Sequence, residues 1–447
     1  MKIVNKKNSP SIVFLLSAKD YHSLKSLADK SLKFLQQTNC ELIDICYSLL
    51  IRSTFYKHKL IITCNSKEEL YFLLKKFITS NDQIKTSNQI YLNESLPSKP
   101  KIAYVFSGQG GQWFAMGRHL IANEPIFANS IEVIDVLLQD IAGWSLIKEL
   151  TKNKPDSLIN KTEIAQLAIF VIQFSLVKLL DYYGIKPQGL VGHSLGETAA
   201  AYTAGVFNLK EAVYIVYHRG RIQAKQANLG KILAVHIGIE EAKKDIASYE
   251  NRISIATING PNILTIAGDT EPLNQLAKIY TEKGYFNRFV NVEVPYHSYY
   301  MDTLKQELID YLGHTIVKSA DIPLYSTVSA QQESGLHLTG DYWFKNVRDP
   351  VLFTDTIKLM IKDGFNLFIE IGPHPLLVEG MRSLFDIESY QGISFALMNR
   401  KFENEMNYYT QSLTRLVANN VNVNISRLLR GSRKYISHRA LRSIYKG

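Results

Sequence analysis

Cysteine is scarce in this sequence: 3 of 447 residues, and none lies beyond Cys64. Three thiols form no even disulfide framework, and Cys40, Cys46 and Cys64 have no metal-ligand spacing. A disulfide-stapled secreted domain and a zinc module are therefore both set aside. Free, mostly buried thiols in a reducing, cytoplasmic setting are expected, with no metal. Long hydrophobic runs are also missing. The apolar stretch 12–16 behind the basic start is too short for a secretory core and soon meets Lys19 and Asp20. Nothing in the sequence reads as a continuous membrane span, so no membrane association is expected. Internal repeats and low-complexity tracts are absent, which sets aside repeat architectures. Acidic side chains are in deficit, 41 against 51 Lys and Arg, for a formal net charge of +10. The excess is densest over 427–446, RLLRGSRKYISHRALRSIYK. No nucleic-acid module accompanies it, so nucleic acid is not the expected partner. A solvated basic terminus and a surface that meets an acidic protein remain as alternatives.

What is present is ordinary for a globular protein: 46% hydrophobic and 21% charged residues, with a length that suggests about three domains. Residues 11–18 and 59–64 read as strands, and 20–37 and 67–77 as helices, within a small mixed unit. The polar stretch 80–100 reads as a linker. From KIAYVFSGQGGQW (101–113) onward, apolar strands such as 189–191 and 367–371 alternate with helices at 131–138, 164–182 and 197–217. That alternation indicates an α/β domain with a largely parallel sheet. Residues 232–293 break the pattern with the order βαββαβ, a ferredoxin-like unit inserted into the larger domain. A helix at 402–419 and the basic tail close the chain.

The stretch VGHSLGETAAAY (191–202) places Ser194 between Gly192 and Gly196, after an apolar strand and before helix formers that stop at Gly205. This is the G-x-S-x-G pattern of a nucleophile on a sharp strand-to-helix turn. The first amides of such a helix can stabilise negative charge. The pentapeptide alone also fits an ordinary glycine-bounded loop. Four further features have ordinary readings when taken singly. SGQGGQ (107–112) is either a tight turn or a cradle of amides for an anion. His297 in VPYHSYYMD (294–302) is an aromatic-packed histidine or a base. Arg219 in YHRGRIQ (217–223) is a helix-terminal cation or a site group. Gln166 in TEIAQLAIF (162–170) is a buried hydrogen bonder or a site group.

In this order, and with the βαββαβ insertion, these features resemble one family. It is the acyltransferase (malonyl-CoA:ACP transacylase) domain of type I polyketide and fatty acid synthases, together with the stand-alone transacylases. The resemblance is carried by FSGQGGQW, TEIAQLAIF, GHSLGE, YHRGRIQ, NGPNILTIAG, VPYHSYYMD, PLYSTVS and IGPHPLL. It covers about 101–395, and the flanks resemble the linkers around such a domain. The implied fold is α/β: a hydrolase-like parallel-sheet core with an inserted ferredoxin-like subdomain, preceded by a small α/β linker domain. The expected boundaries are 1–97 for the linker-like domain, 98–231 with 294–395 for the large subdomain, 232–293 for the small one, and 396–447 for the C-terminal linker and tail.

The resemblance implies ping-pong acyl transfer with Ser194 as nucleophile and His297 as general base. The amides of Gln109 and Leu195 would form the oxyanion site. Arg219, beside Gln166, would bind the free carboxylate of a malonyl unit as a planar fork. Backbone carbonyls, rather than an acid, orient the histidine in this family. The segment 325–327 is expected in that place, and Asp302 is given no triad role. His193 is read as structural. Acyl-CoA is then substrate rather than bound cofactor, phosphopantetheine arrives on an acyl carrier protein, and a ketosynthase or other synthase modules are further expected partners. Family members often carry HAFH for malonyl and YASH for methylmalonyl. Here the tetrad is Val294-Pro295-Tyr296-His297, and the bulky Tyr296 favours malonyl. Two alternatives stand beside this reading. One is a non-catalytic remnant or scaffold of a synthase, because no ketosynthase signature precedes and no carrier segment follows. The other is an esterase with a late histidine such as His374.

Overall fold

The computed structural model describes residues 12–52, 56–80, 89–94, 96, 99–249, 251–402, 404–424, 427 and 444. The chain divides into two compact units, residues 101–179 with 186–400, and residues 1–100 with 180–185 and 401–447.

The second of these units holds a three-stranded antiparallel sheet of Ile12–Ala18, His58–Cys64 and Ile90–Glu94, with His58–Cys64 central. Tyr21–Gln37 is capped by the Asp20 carboxylate accepting from the Ser23 amide, and Lys67–Thr79 by Ser66 accepting from Glu69. Two elements were not anticipated. Leu42–Arg52 is a helix, and Ile90–Glu94, in the stretch read as linker, adds the third strand. The expected late helix is Glu405–Ala418. Most of the basic tail lies outside the described residues.

The larger unit is built on a six-stranded sheet in the order Gln331–Glu333, Leu324–Ser326, Gly189–Gly192, Ile102–Phe106, Leu367–Ile371, Ile393–Ala396. Every pairing is parallel except that of the short Gln331–Glu333. The inner strands Ile102–Phe106, Gly189–Gly192 and Leu367–Ile371 are buried along their whole length. Burial of this kind is what a parallel sheet covered on both faces requires; the one charged residue in these strands, Glu370, accepts from the amides of Leu376, Leu377 and Val378. Residues 231–289 form the inserted subdomain. Its antiparallel sheet runs Ile253–Gly260, Ile263–Gly268, Lys231–Val235, Asn287–Phe289, with helices Ile239–Ile246 and Thr270–Glu282 as crossovers. The last strand is shorter than the sequence indicated.

The helix read as 197–217 is in fact two, Gly196–Thr203 and Leu209–Gln223. Gly205 breaks it in the left-handed region at φ 85°. The second helix restarts on a capping box between Asn208 and Glu211. Thr162–Tyr182 is long and apolar enough to cross a membrane, contrary to the sequence reading. However, 89% of its most apolar window is buried inside the protein, so it is a core helix here.

The spacing of the two elbow glycines has a steric cause. A Cβ on Gly192 would lie 2.2 Å from the Glu197 Cα, and one on Gly196 would lie 2.1 Å from the Phe106 carbonyl oxygen. Both obstacles are backbone and cannot swing aside. Gly196→Ala should therefore destabilise the unit by about 3 kcal/mol, as overpacking does, seen as a lowered denaturant midpoint. An unchanged midpoint would contradict the close approach.

Candidate active site

Three loops meet at the carboxyl ends of the inner strands: the glycine-rich turn after Phe106, the elbow after Gly192, and the 372–377 loop after Ile371. Open parallel sheets bind ligands at this edge. Ser194 sits at the elbow tip with φ 53°, a left-handed conformation that a non-glycine residue adopts only under local constraint. It is the one partly exposed residue in the buried run from Leu190 to Ala201.

Ser194 Oγ lies 2.9 Å from His297 Nε2. On the other side of the ring, Nδ1 lies 2.8 Å from the Asp349 carbonyl oxygen. A carbonyl only accepts, so Nδ1 carries the proton and Nε2 presents a lone pair to the serine hydroxyl. The orienting carbonyl is thus supplied by Asp349 and not by 325–327. Thr327 instead binds Glu197 through its amide and hydroxyl, at 2.6 and 2.7 Å. The sequence Arg348-Asp349-Pro350 explains the local backbone but not which group the carbonyl meets. A residue before proline is held extended, and Asp349, with ψ 159°, ends helix Gly340–Arg348 in that conformation. Asp302 pairs instead with Arg348 at 2.6 Å.

Arg219 reaches the same serine from helix Leu209–Gln223. It is 2% exposed. Its NH2 donates to Ser194 Oγ at 3.1 Å and to Asn346 Oδ1 at 3.2 Å. Its NH1 donates to Gln166 Oε1 at 2.8 Å and Gln223 Oε1 at 3.0 Å. The Nε–H is buried and finds no acceptor among the described residues. Among the described residues no carboxylate touches this cation. Burial lowers its pKa to about 10, which still leaves it charged at neutral pH. Gln166 Nε2 donates to Gln223 at 2.7 Å and to Gln109 Oε1 at 3.3 Å. The Tyr296 hydroxyl donates to the same Gln109 oxygen at 2.7 Å and meets Thr162 Oγ1 at 2.9 Å. Gln109, Gln166, Arg219 and Tyr296 therefore form one hydrogen-bonded cluster beside Ser194. Among the described residues, the amides of Gln109 and Leu195 donate to no protein group.

Three further residues of the site, besides Asp349, were not found in the sequence. Gln223 and Asn346 hold the guanidinium, and Asn346 also donates to the Ser194 carbonyl at 3.1 Å and to Glu197 at 3.0 Å. Glu197 is buried and accepts from Thr327, Tyr342 and Asn346; burial raises its pKa. Gln223 sits one turn after Arg219, a spacing that puts both on one helix face. Asn346 and Glu197 carried no such signal. His193 points away from the dyad, with Nε2 2.7 Å from Asn259 Oδ1. His374 accepts at Nδ1 from the Arg400 amide at 3.4 Å, and the imidazole on Ser194 is that of His297. No group of three or more histidine, cysteine, aspartate or glutamate residues among the described residues is placed to hold a metal.

A serine hydroxyl on a neutral imidazole, beside free amides and a buried cation, is equipped for acyl transfer. Residues 103–420 match the profile of the acyl transferase domain, and residues 12–74 match the CurL-like, PKS C-terminal profile. The chain belongs to the acyl transferase domain family. It is 28% identical over 395 residues to the polyketide synthase GfsB of Streptomyces halstedii, covering 88% of this chain and 7% of that protein. The chain thus spans a small fraction of such relatives. A loading acyltransferase from the avermectin modular polyketide synthase shares 27% identity at a TM-score of 0.67, covering 70% of this chain and 99% of that one. The acyltransferase domain from module 8 of the salinomycin polyketide synthase matches at a TM-score of 0.87 and 23% identity, over 94% of this chain and 98% of that one. The expected α/β architecture with its parallel-sheet core is the fold of these acyltransferase domains.

Burial and the Arg219 charge push the His297 pKa down to about 3. The imidazole is therefore neutral, and competent as a base, at every pH well above that value. The rate of Ser194 modification by a fluorophosphonate should stay flat from pH 8 to pH 5, where an unshifted histidine would give a falling limb near about 6.5. A limb at that position would contradict the buried, neutral base.

Proposed function

We propose that the chain takes a malonyl group from coenzyme A onto Ser194 and passes it to the phosphopantetheine thiol of an acyl carrier protein, in polyketide or fatty acid biosynthesis. Ser194 Oγ attacks the thioester carbonyl while its proton moves to His297 Nε2. The tetrahedral oxyanion sits between the amides of Gln109 and Leu195. Collapse expels the coenzyme A thiolate, which takes the proton from His297. The carrier thiol then runs the same steps in reverse. A single oxyanion donor typically contributes about 10² to 10³ in rate.

The observation that carries the reading is the buried Arg219 cation, 3.1 Å from the nucleophile and with no acid against it. A buried charge without a counter-ion is unfavourable unless something pairs with it. An acyl group bearing a free carboxylate supplies the partner; an acetyl group does not. When Ser194 is acylated its hydroxyl is consumed, and NH2, with the unpartnered Nε–H, becomes available as a two-donor edge. Tyr296 supports malonyl over branched units. Its ring is held by Gln109 and Thr162 through the hydroxyl, so it cannot easily yield space to an α-methyl group. The carrier protein as partner is supported by the relatives being polyketide synthases, and by a net charge of +10 that suits an acidic protein.

Intact-mass measurement after incubation with malonyl-CoA should show a malonyl adduct on the wild type and none on Ser194→Ala. Methylmalonyl-CoA should load about 10- to 200-fold more slowly, the range for one methylene, and Tyr296→Ser should narrow that gap. Equal loading of both units by the wild type would contradict the role given to Tyr296. A folded wild type that forms no adduct would contradict the proposal itself.

A further inference from the structure

The inserted subdomain reaches the catalytic dyad through strand Ile253–Gly260, which carries Ser254 to His297. Ile253–Gly260 is the edge of the four-stranded sheet, and its outer side faces the large subdomain. Val351 docks on it as a short parallel bridge: the Val351 amide donates to the Ala256 carbonyl at 2.9 Å, and the Ile258 amide donates to the Val351 carbonyl at 2.9 Å. Thr354 Oγ1 adds a third bond, to the Ile258 carbonyl at 2.9 Å. This docked segment begins two residues after Asp349, whose carbonyl orients His297. At one end of the strand, Ser254 Oγ donates to the His297 carbonyl at 3.1 Å. At the other end, Asn259 Oδ1 accepts from His193, the neighbour of Ser194, at 2.7 Å.

His297 needs such support. Its φ is 59°, the left-handed region that few non-glycine residues occupy. A residue stays there only where its surroundings over-determine it. Three ties do so: the His297 amide donates to the Val347 carbonyl at 3.2 Å, Nδ1 donates to Asp349, and the carbonyl accepts from Ser254. Of the three, Ser254 is the one side chain, and it comes from the inserted subdomain. Asn259 and Gly260 are fixed in turn against the helix Val378–Ile387, where Gly380 packs so closely that a Cβ on it would lie 1.9 Å from the Asn259 carbonyl oxygen.

We infer that strand Ile253–Gly260 is the mount that holds the general base in line with the nucleophile, with Ser254 and Asn259 as its positioning residues. The inserted subdomain then sets the rate at which Ser194 reacts, and a rotation of it relative to the parallel sheet would misalign His297 without disturbing Arg219. The inference rests on the Ser194–His297 dyad described above and not on the identity of the acyl group.

A fluorophosphonate tests it, because that reagent needs an activated serine but no coenzyme A, carboxylate or carrier protein. Ser254→Ala should react about tenfold more slowly than the wild type. Ser254→Thr, which keeps the hydroxyl, should recover to within about twofold. Asn259→Ala should also slow the reaction, which keeps the test open if one variant folds poorly. In malonyl loading the same loss should fall on kcat, with KM unchanged. Wild-type reactivity of both Ser254→Ala and Asn259→Ala, or a loss in Ser254→Thr as deep as in Ser254→Ala, would overturn the inference. A wild type that reacts with the phosphonate but not with malonyl-CoA would sink the malonyl reading and leave this one standing.

Discussion

The end of one strand and the start of one helix lie so close together that no Cβ fits between them, and the active site is organised around that contact. With Gly192 against the backbone of Glu197 and Gly196 against the end of Ile102–Phe106, the chain has no choice but a tight reversal. Ser194 is lifted at its tip with φ 53°. The reversal also brings the elbow against the glycine-rich turn that follows the adjacent strand, where a Cβ on Gly108 would lie 3.5 Å from the Ser194 Cβ. The Ser194 hydroxyl and the two amides proposed as oxyanion donors are thus placed by the sheet register itself, which pairs Phe106 with Gly192.

Around this rigid centre the electrostatics are unusual for a protein interior. A guanidinium is buried among the amide oxygens of Gln166, Gln223 and Asn346 and the serine hydroxyl. Neutral dipoles solvate it without neutralising it. The nearest link to an acid runs through Asn346, which accepts from Arg219 and donates to Glu197. The same positive charge helps keep His297 neutral. One residue thereby keeps the imidazole neutral and leaves a buried positive charge open to an anion, which are the two conditions that the proposed transfer of a carboxylate-bearing acyl group requires.

Much of this was legible in the sequence because glycine spacing and strand-helix alternation are local signals. The elbow, the glycine-rich turn and the inserted βαββαβ unit all appear where such patterns place them. Gln109, Gln166, Arg219, Tyr296 and His297 meet around Ser194, although they are spread over 109–297. What escaped was of two kinds. Helix Leu42–Arg52 carries a helical apolar spacing in Leu42, Ile45, Cys46, Leu49 and Leu50 that was missed, whereas strand Ile90–Glu94 lies in a stretch whose local signal is weak, and its pairing with His58–Cys64 decides it. The Asp349 carbonyl, Asn346 and the strand that grips His297 act through backbone groups or long-range contacts, which residue types do not disclose. The break near Gly205 was half visible: the glycine stop was noted, yet the apolar pattern runs on through it.

The central claim is that Arg219 selects an acyl group with a free carboxylate. The most direct measurement is the rate of Ser194 acylation by malonyl-CoA and by acetyl-CoA, in the wild type and in Arg219→Ala. The wild type should strongly prefer malonyl-CoA, and the variant should lose malonyl loading by about 10²-fold or more, the scale of 2–5 kcal/mol for truncating one side of a buried charge pair, while its acetyl loading falls far less or rises. Equal losses on both thioesters would contradict the account, since Arg219 would then serve the serine and not the carboxylate.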